Sequence, residues 1–200
     1  MEFDFRTLVV IMMSAAFVNN FILRQFLGVC PFLGVSKELK NSVGMGLAVM
    51  FVMIMAAAVT WPIQVYLLDA NGLGFMQTVV FILVIATLVQ LVEVVLKRYI
   101  PALFTALGVY LPLMTTNCAV LAVTISNISR GYTYVEALIS ALGGGIGFFL
   151  AMVIFTGVRG QIASADPPES FKGVPITLIS AAILSLAFFG FEGVIDNLFG

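Results

Sequence analysis

Six apolar stretches separated by polar breaks run the length of the chain: Phe5 to Val35, Val43 to Leu68, Leu73 to Leu96, Pro101 to Ile128, Val135 to Val158 and Val174 to Ile195. A hydrocarbon core about 30 Å thick takes roughly 20 helical residues, so the pattern predicts six transmembrane helices. The connecting segments are short. The longest, Arg159 to Gly173, holds Asp166-Pro167-Pro168-Glu169, which reads as an ordered turn region rather than a domain. The fold class expected is an all-α membrane protein, a single integral membrane domain over residues 1–200 with halves of about 1–96 and 97–200.

Composition supports a lipid solvent: 62% of residues are hydrophobic and 10% charged, with mean hydropathy +1.15. A net charge of −1 and the lack of a long basic run argue against nucleic acid as a partner. The start, Met1-Glu2-Phe3-Asp4-Phe5, is acidic where a signal peptide is basic, so the first apolar run is expected to be a retained helix. Histidine is absent, which excludes imidazole ligands and histidine proton relays from this chain. The two cysteines, Cys30 and Cys118, cannot by themselves complete a four-ligand metal site. No nucleotide- or flavin-binding fold is legible, so no direct NAD site is expected.

Basic residues set the expected orientation. Lys37, Lys40, Lys97, Arg98, Arg159 and Lys172 fall after the first, third and fifth spans, against Arg6 and Arg130 on the opposite side. Cytoplasmic loops retain Lys and Arg, so both termini are expected outside the cytoplasm of a bacterial cell (inner) membrane.

The first and fourth stretches are too long and too polar for plain spans, and each contains one cysteine. The first carries Asn19, Asn20, Arg24 and Gln25, then Gly28-Val29-Cys30-Pro31; the fourth carries Pro112, then Thr115-Thr116-Asn117-Cys118. Such groups are tolerated at membrane depth where a helix is broken and faces protein or a cavity. Gly28 suits the left-handed end of one half-helix and Pro31 the first position of the next, with Cys30 near its N-cap. Asn117 suits an N-cap, with Cys118 in the first turn. Both sulfurs are thus expected at positive dipole ends, which favour the thiolate that ligates metal.

The two segments also match each other, Cys30-Pro31-Phe32-Leu33-Gly34-Val35-Ser36 against Cys118-Ala119-Val120-Leu121-Ala122-Val123-Thr124. Three spans precede the second copy, so the repeats are expected to be oppositely oriented, an inverted repeat of three plus three with helices one and four broken.

The stretches Phe17-Val18-Asn19-Asn20-Phe21-Ile22-Leu23, Phe26-Leu27-Gly28-Val29-Cys30-Pro31-Phe32-Leu33-Gly34-Val35-Ser36-Lys37 and Leu111-Pro112-Leu113-Met114-Thr115-Thr116-Asn117-Cys118-Ala119-Val120-Leu121 resemble the A-subunit family of the bacterial Rnf complexes. The likeness extends over essentially the whole chain, including Phe81 to Ala86 and Leu186 to Phe191. It implies a translocase subunit of an ion-translocating ferredoxin:NAD oxidoreductase, in which A and E subunits of opposite topology share one intramembrane [2Fe-2S] cluster. By position, Cys30 and Cys118 correspond to two of its four ligands. Asn19, Asn20, Arg24, Pro31, Thr116 and Asn117 are candidates for the cluster's surroundings. Other Rnf subunits, the E subunit most directly and also D and G, are the implied partners, besides membrane lipid. The homologous E subunit of the Na-translocating NADH:quinone reductase is the nearest competing family.

Blander readings stand beside these. A free cysteine is often a small buried packing residue. Arg24 either balances a thiolate-bound cluster or pairs with a carboxylate or snorkels to water. Gly143-Gly144-Gly145-Ile146-Gly147 follows no strand, so close helix packing is expected rather than a phosphate loop. Glu93, one turn before Lys97, suits an interfacial ion pair or a step in ion passage. Broken helices in a pseudo-symmetric chain also describe secondary solute transporters, and a scaffold with incidental thiols is a third class.

Overall fold

A computed structural model describes residues 5–36, 38–99, 116–164 and 168–190. The described residues are helices joined by turns, with no strand among them. They are α1 (Phe5–Met13), α2 (Val29–Val35), α3 (Leu39–Ile63), α4 (Gln77–Tyr99), α5 (Cys118–Ser129), α6 (Tyr134–Ser164) and α7 (Val174–Phe189). Two wider π turns extend helices: Ser14–Val18 continues α1 and Gln64–Leu68 continues α3. The segments Leu39–Leu68, Gly74–Tyr99 and Tyr134–Ile162 are long and apolar enough to cross a membrane, and Arg6–Val18, Cys118–Ser129 and Val174–Phe189 are shorter apolar helices. The chain is an all-α, multi-pass membrane protein. The expected first part of the fourth span with Pro112, the end of the sixth span, Lys37 and Asp166-Pro167 lie outside the described residues.

Local chemistry accounts for the helix starts. Thr133 and Glu136 form the N-terminal box of α6, with Glu136 Oε2 accepting from the Thr133 backbone N–H and hydroxyl at 2.8 Å each. In α3, Pro62 lies inside the helix and supplies no N–H, and the ladder widens into the π turn two residues later. Hydroxyls within the spans bond back to the preceding turn, as Thr60 does to Ala56 O at 2.7 Å and Thr87 to Leu83 O at 2.9 Å. This leaves no polar cost for those groups in lipid.

The centre of the fold is the pair α3 and α6, which pack more extensively on each other than any other two elements. They run antiparallel: Ser42 meets Thr156 through hydroxyls 2.7 Å apart, Gly46 lies on Phe149, Met50 on Gly145, and the Trp61 ring meets Tyr134 edge-on at 5.5 Å. Met50 and Gly145 stand as far into their helices, from Leu39 and Tyr134, as each other. An antiparallel central pair crossing at equal depth is the arrangement that an inverted repeat requires. In each half a short cysteine-bearing helix, α2 or α5, precedes the long one. Burial follows the same arrangement: 56% of the apolar window of α6 and 44% of that of α3 are buried, against 18% for that of α4, which leaves α4 at the periphery.

The glycine run of α6 is packing surface. A Cβ on Gly143 would meet Met12 O at 2.6 Å, one on Gly145 Met50 Cγ at 2.6 Å, and one on Gly147 Ala16 O at 2.5 Å. Those residues let α1 and α3 approach α6 backbone to backbone, as small residues do between helices in lipid.

The first span is broken over a longer stretch than local signals indicate. Helical structure ends at Val18, and Asn19 to Gly28 forms turns that are closed internally, with Arg24 N–H to Asn20 O at 3.0 Å, Phe26 N–H to Ile22 O at 3.1 Å and Leu27 N–H to Phe21 O at 2.8 Å. Asn20, 1% exposed, organises them. Its Oδ1 accepts from Ile22 and Leu23 N–H at 3.1 and 3.3 Å, and its Nδ2 donates to Gly147 O at 2.8 Å and Ala16 O at 3.3 Å. Phe21, Ile22 and Leu23 then turn into the core.

Candidate functional site

Both cysteine helices begin at the same place. Gly28, φ +77°, is the N-cap of α2, and Asn117 is the N-cap of α5. A Cβ added to Gly28 would lie 2.9 Å from Asn117 Oδ1, 3.0 Å from Phe148 Cε2 and 3.3 Å from Ala119 Cβ. Only glycine allows both this left-handed turn and this approach. Cys30 follows its cap by two residues and Cys118 by one, so the two thiols lie within a few residues of chain of the contact, at most about 3.8 Å per residue.

Two expectations about α2 change. Gly28 is left-handed as expected, but it opens α2 instead of closing the preceding helix, and Pro31 is the third helical position rather than the first. Pro31 is tolerated there because the first-turn N–H groups have no partner within the helix. Cys30 still occupies the first turn. In α5 the expected cap is present: Asn117 Oδ1 accepts from Ala119 N–H at 3.0 Å, with Cys118 at the first helical position.

Packing turns both sulfurs outward. Pro31, Phe32 and Val35 are buried, with Phe32 stacked on Phe155 of α6 at 4.0 Å, while Cys30 is exposed. Ala119, Val120 and Val123 are buried, while Cys118 is exposed with its Sγ 3.8 Å from Thr116 O. A cavity of about 310 Å³ adjoins Cys118, lined by Ile82, Ile85, Ala86, Thr116, Asn117 and Leu121. Asn117 Nδ2 is buried beside it without a hydrogen-bond partner. A buried amide donor left over next to an exposed thiol is spare capacity for an acceptor, and sulfur on a metal is one. Among the described residues no group of three His, Cys, Asp or Glu gathers to hold a metal ion.

The remaining candidates stand around the break. Asn19 Nδ2 donates to Ser14 Oγ at 3.1 Å, and its Oδ1 accepts from Arg24 Nη1 at 3.2 Å. Arg24 is exposed, donates also to Val18 O at 3.4 Å at the end of the first helical segment, and lies over the Phe189 ring at 5.9 Å. Leu23 O accepts from the Ser185 hydroxyl, which ties α7 to the same turn.

Arg159 has a role that its position in the sequence hides. The hydropathy pattern places it in a loop, but α6 continues past it to Ser164, and Arg159 Nη1 donates to Leu33 O at 2.7 Å and Ser36 Oγ at 2.9 Å at the C-terminal end of α2. The only signal in the sequence is a lone arginine one residue beyond an apolar span, which reads equally as a membrane-edge charge.

These features define an all-α, multi-pass membrane protein in which two helices capped by Gly28 and Asn117 carry the two cysteines in their first turns. Residues 8–195 match the family described as Rnf-Nqr subunit, membrane protein, and the chain belongs to that family. It is 51% identical over 188 residues, 94% of this chain and 98% of the relative, to the A subunit of the Na(+)-translocating ferredoxin:NAD(+) oxidoreductase complex of Acetobacterium woodii. It is 48% identical, over 96% of this chain and 100% of the relative, to the A subunit of the ion-translocating oxidoreductase complex of Syntrophotalea carbinolica. The protein of the same description from Aliivibrio fischeri is 44% identical over 92% of this chain and 96% of its own length.

Proposed function

We propose that this chain is the A-type subunit of an ion-translocating ferredoxin:NAD oxidoreductase in a bacterial cell membrane, and that Cys30 and Cys118 supply two of the four ligands of a [2Fe-2S] cluster. The E subunit, of opposite orientation, supplies the other two, and the D and G subunits complete the membrane part; both termini of this chain face away from the cytoplasm. The observation that carries the reading is the contact of Gly28 with Asn117, which joins the starts of the two cysteine helices. The name of the Acetobacterium woodii relative supports the ferredoxin:NAD assignment over that of the quinone reductase.

The residues fit such a group. Two exposed soft donors stand on adjoining helix starts, with a buried amide donor left over beside Cys118. When bound, the cluster supplies one-electron chemistry. The chain's own part is to hold Cys30 and Cys118 as thiolates, to donate a hydrogen bond from Asn117 Nδ2 and to line the site with the apolar side chains of Phe148, Ile82 and Ile85. Ion movement then follows from helix displacement when the charge at the joined helix starts changes.

Replacing Cys30 or Cys118 by Ser tests this in the whole complex. Ferredoxin-dependent NAD reduction is lost and the cluster spectrum disappears or shifts, while the chain remains inserted, since one sulfur contributes little to the summed apolar transfer of the spans. Unchanged activity and spectrum in both variants return the thiols to packing residues and leave solute transport as the leading reading.

A further inference from the structure

The two cysteine helices are held from behind, each by the long central helix of the opposite half. In the first half, Arg159 of α6 donates through Nη1 to Leu33 O and Ser36 Oγ, at 2.7 and 2.9 Å, at the end of α2 remote from Cys30. In the second half, Trp61 of α3 donates through Nε1 to Tyr132 O at 2.9 Å, in the turn that closes α5. That turn is tied to α5 itself, because Tyr132 N–H donates to Asn127 O at 3.1 Å. Arg159 and Trp61 both lie toward the C-terminal ends of α6 and α3, the central antiparallel pair. The side chains differ, but the device is the same: a donor from one half closes the far end of the other half's cysteine helix.

We propose that Arg159 and Trp61 are positioning residues that set where Cys30 and Cys118 stand, each acting on one thiol. This rests on the reading of the two thiols as a shared site. The physical argument is leverage. α2 is a seven-residue helix, about 10 Å long at 1.5 Å per residue. A tilt at its C-terminal end is transmitted to its first turn almost undiminished. At the Cys30 end, Gly28 provides no side-chain cap, so α2 has no polar anchor at that cap; its direction depends on the Phe32–Phe155 stack and, at its far end, on Arg159 together with the longer Ser42 hydroxyl bond to Val35 O at 3.4 Å. A guanidinium is suited to this position, since it donates to a terminal carbonyl and adds positive charge at the helix C-terminus. In α5, Asn117 caps the Cys118 end directly, and Trp61 holds only the closing turn. Loss of Arg159 is therefore felt at Cys30 more strongly than loss of the Trp61 N–H is felt at Cys118.

The test uses the full chain in its native membrane, produced without partner subunits, where both thiols are free to react. The sequence has no other cysteine, so alkylation by a small maleimide reports each thiol as a separate peptide mass. Arg159→Gln is expected to change the Cys30 rate by roughly tenfold, the population shift that one lost charge-assisted hydrogen bond produces, with Cys118 unchanged. Trp61→Phe changes Cys118 by a smaller factor and leaves Cys30 alone. Should Arg159→Gln fail to accumulate, Ser36→Ala removes one of the two acceptors and is read at the same thiol. Rates that move together in either variant, or stay at wild type in both, overturn the proposal. In the assembled complex, Arg159→Gln with full iron content and a shifted low-temperature spectrum supports it, whereas an unshifted spectrum overturns it. A wild-type complex without iron would overturn the cluster reading while leaving the alkylation pattern intact.

Discussion

Gly28 and Asn117, the N-caps of the two cysteine helices, are in direct contact, and the space for a single methyl group on Gly28 is already taken by Asn117 Oδ1 at 2.9 Å. The contact joins the caps of the two helices whose first turns carry Cys30 and Cys118.

Gly28→Ala is expected to lower stability by about 1–2 kcal/mol through the left-handed backbone alone, with a further loss from the collision with Asn117 and Phe148. The thermal midpoint of the purified complex in detergent measures it. An unchanged midpoint would contradict both the left-handed turn at Gly28 and its contact with Asn117.

Asn20→Ala strips a buried side chain that serves Ile22 N–H, Leu23 N–H, Gly147 O and Ala16 O at once. Each buried group left without a partner costs about 1–3 kcal/mol, so this change should be among the most damaging single substitutions in the first span. Lower accumulation in the membrane and faster proteolysis between Val18 and Gly28 are the expected readouts.

Gly147→Ala and Gly157→Ala separate packing from helix propensity within one helix. The first drives a methyl into Ala16 O at 2.5 Å and is expected to destabilise by about 1–3 kcal/mol. The second meets nothing within 4 Å and should stabilise by roughly 0.5–1 kcal/mol, the ordinary gain of Ala over Gly in a helix. Paired melting curves check the sign as well as the size.

Reporters fused after Gly200 test orientation. The excess of Lys and Arg after the first, third and fifth spans predicts activity of a periplasmic reporter and silence of a cytoplasmic one. The opposite result would invert the chain in the membrane.

Much of this is legible in the sequence because it depends on neighbours a few positions apart. Asn117 before Cys118 is a cap wherever the helix lies, and apolar runs of span length are helices in lipid for lack of an alternative. The extent of the first break is not legible, because Asn20 owes its geometry to Gly147, 127 positions away, and no local propensity carries that information. The end of α6 is hidden for a related reason. Counting residues against bilayer thickness stops the span near Val158, whereas the helix runs on to Ser164, with Arg159 reaching back to α2. The glycine run of α6 is legible as packing, but not what it packs on.

The long reach of these bonds also fixes an order of events during synthesis. The turn from Asn19 to Gly28 leaves the ribosome first, yet its partners Asn117, Gly147, Phe148 and Ser185 all come from the second half. Domains and segments emerge N-terminus first, at about 5–20 residues per second. The nascent first span therefore waits about 8–30 seconds, until Ser185 is made, with its polar turn incompletely matched, and insertion machinery or water must shelter it meanwhile. Any metal centre on these thiols must await α6, because Phe155 and Arg159, which hold the helix of Cys30, are made only with it.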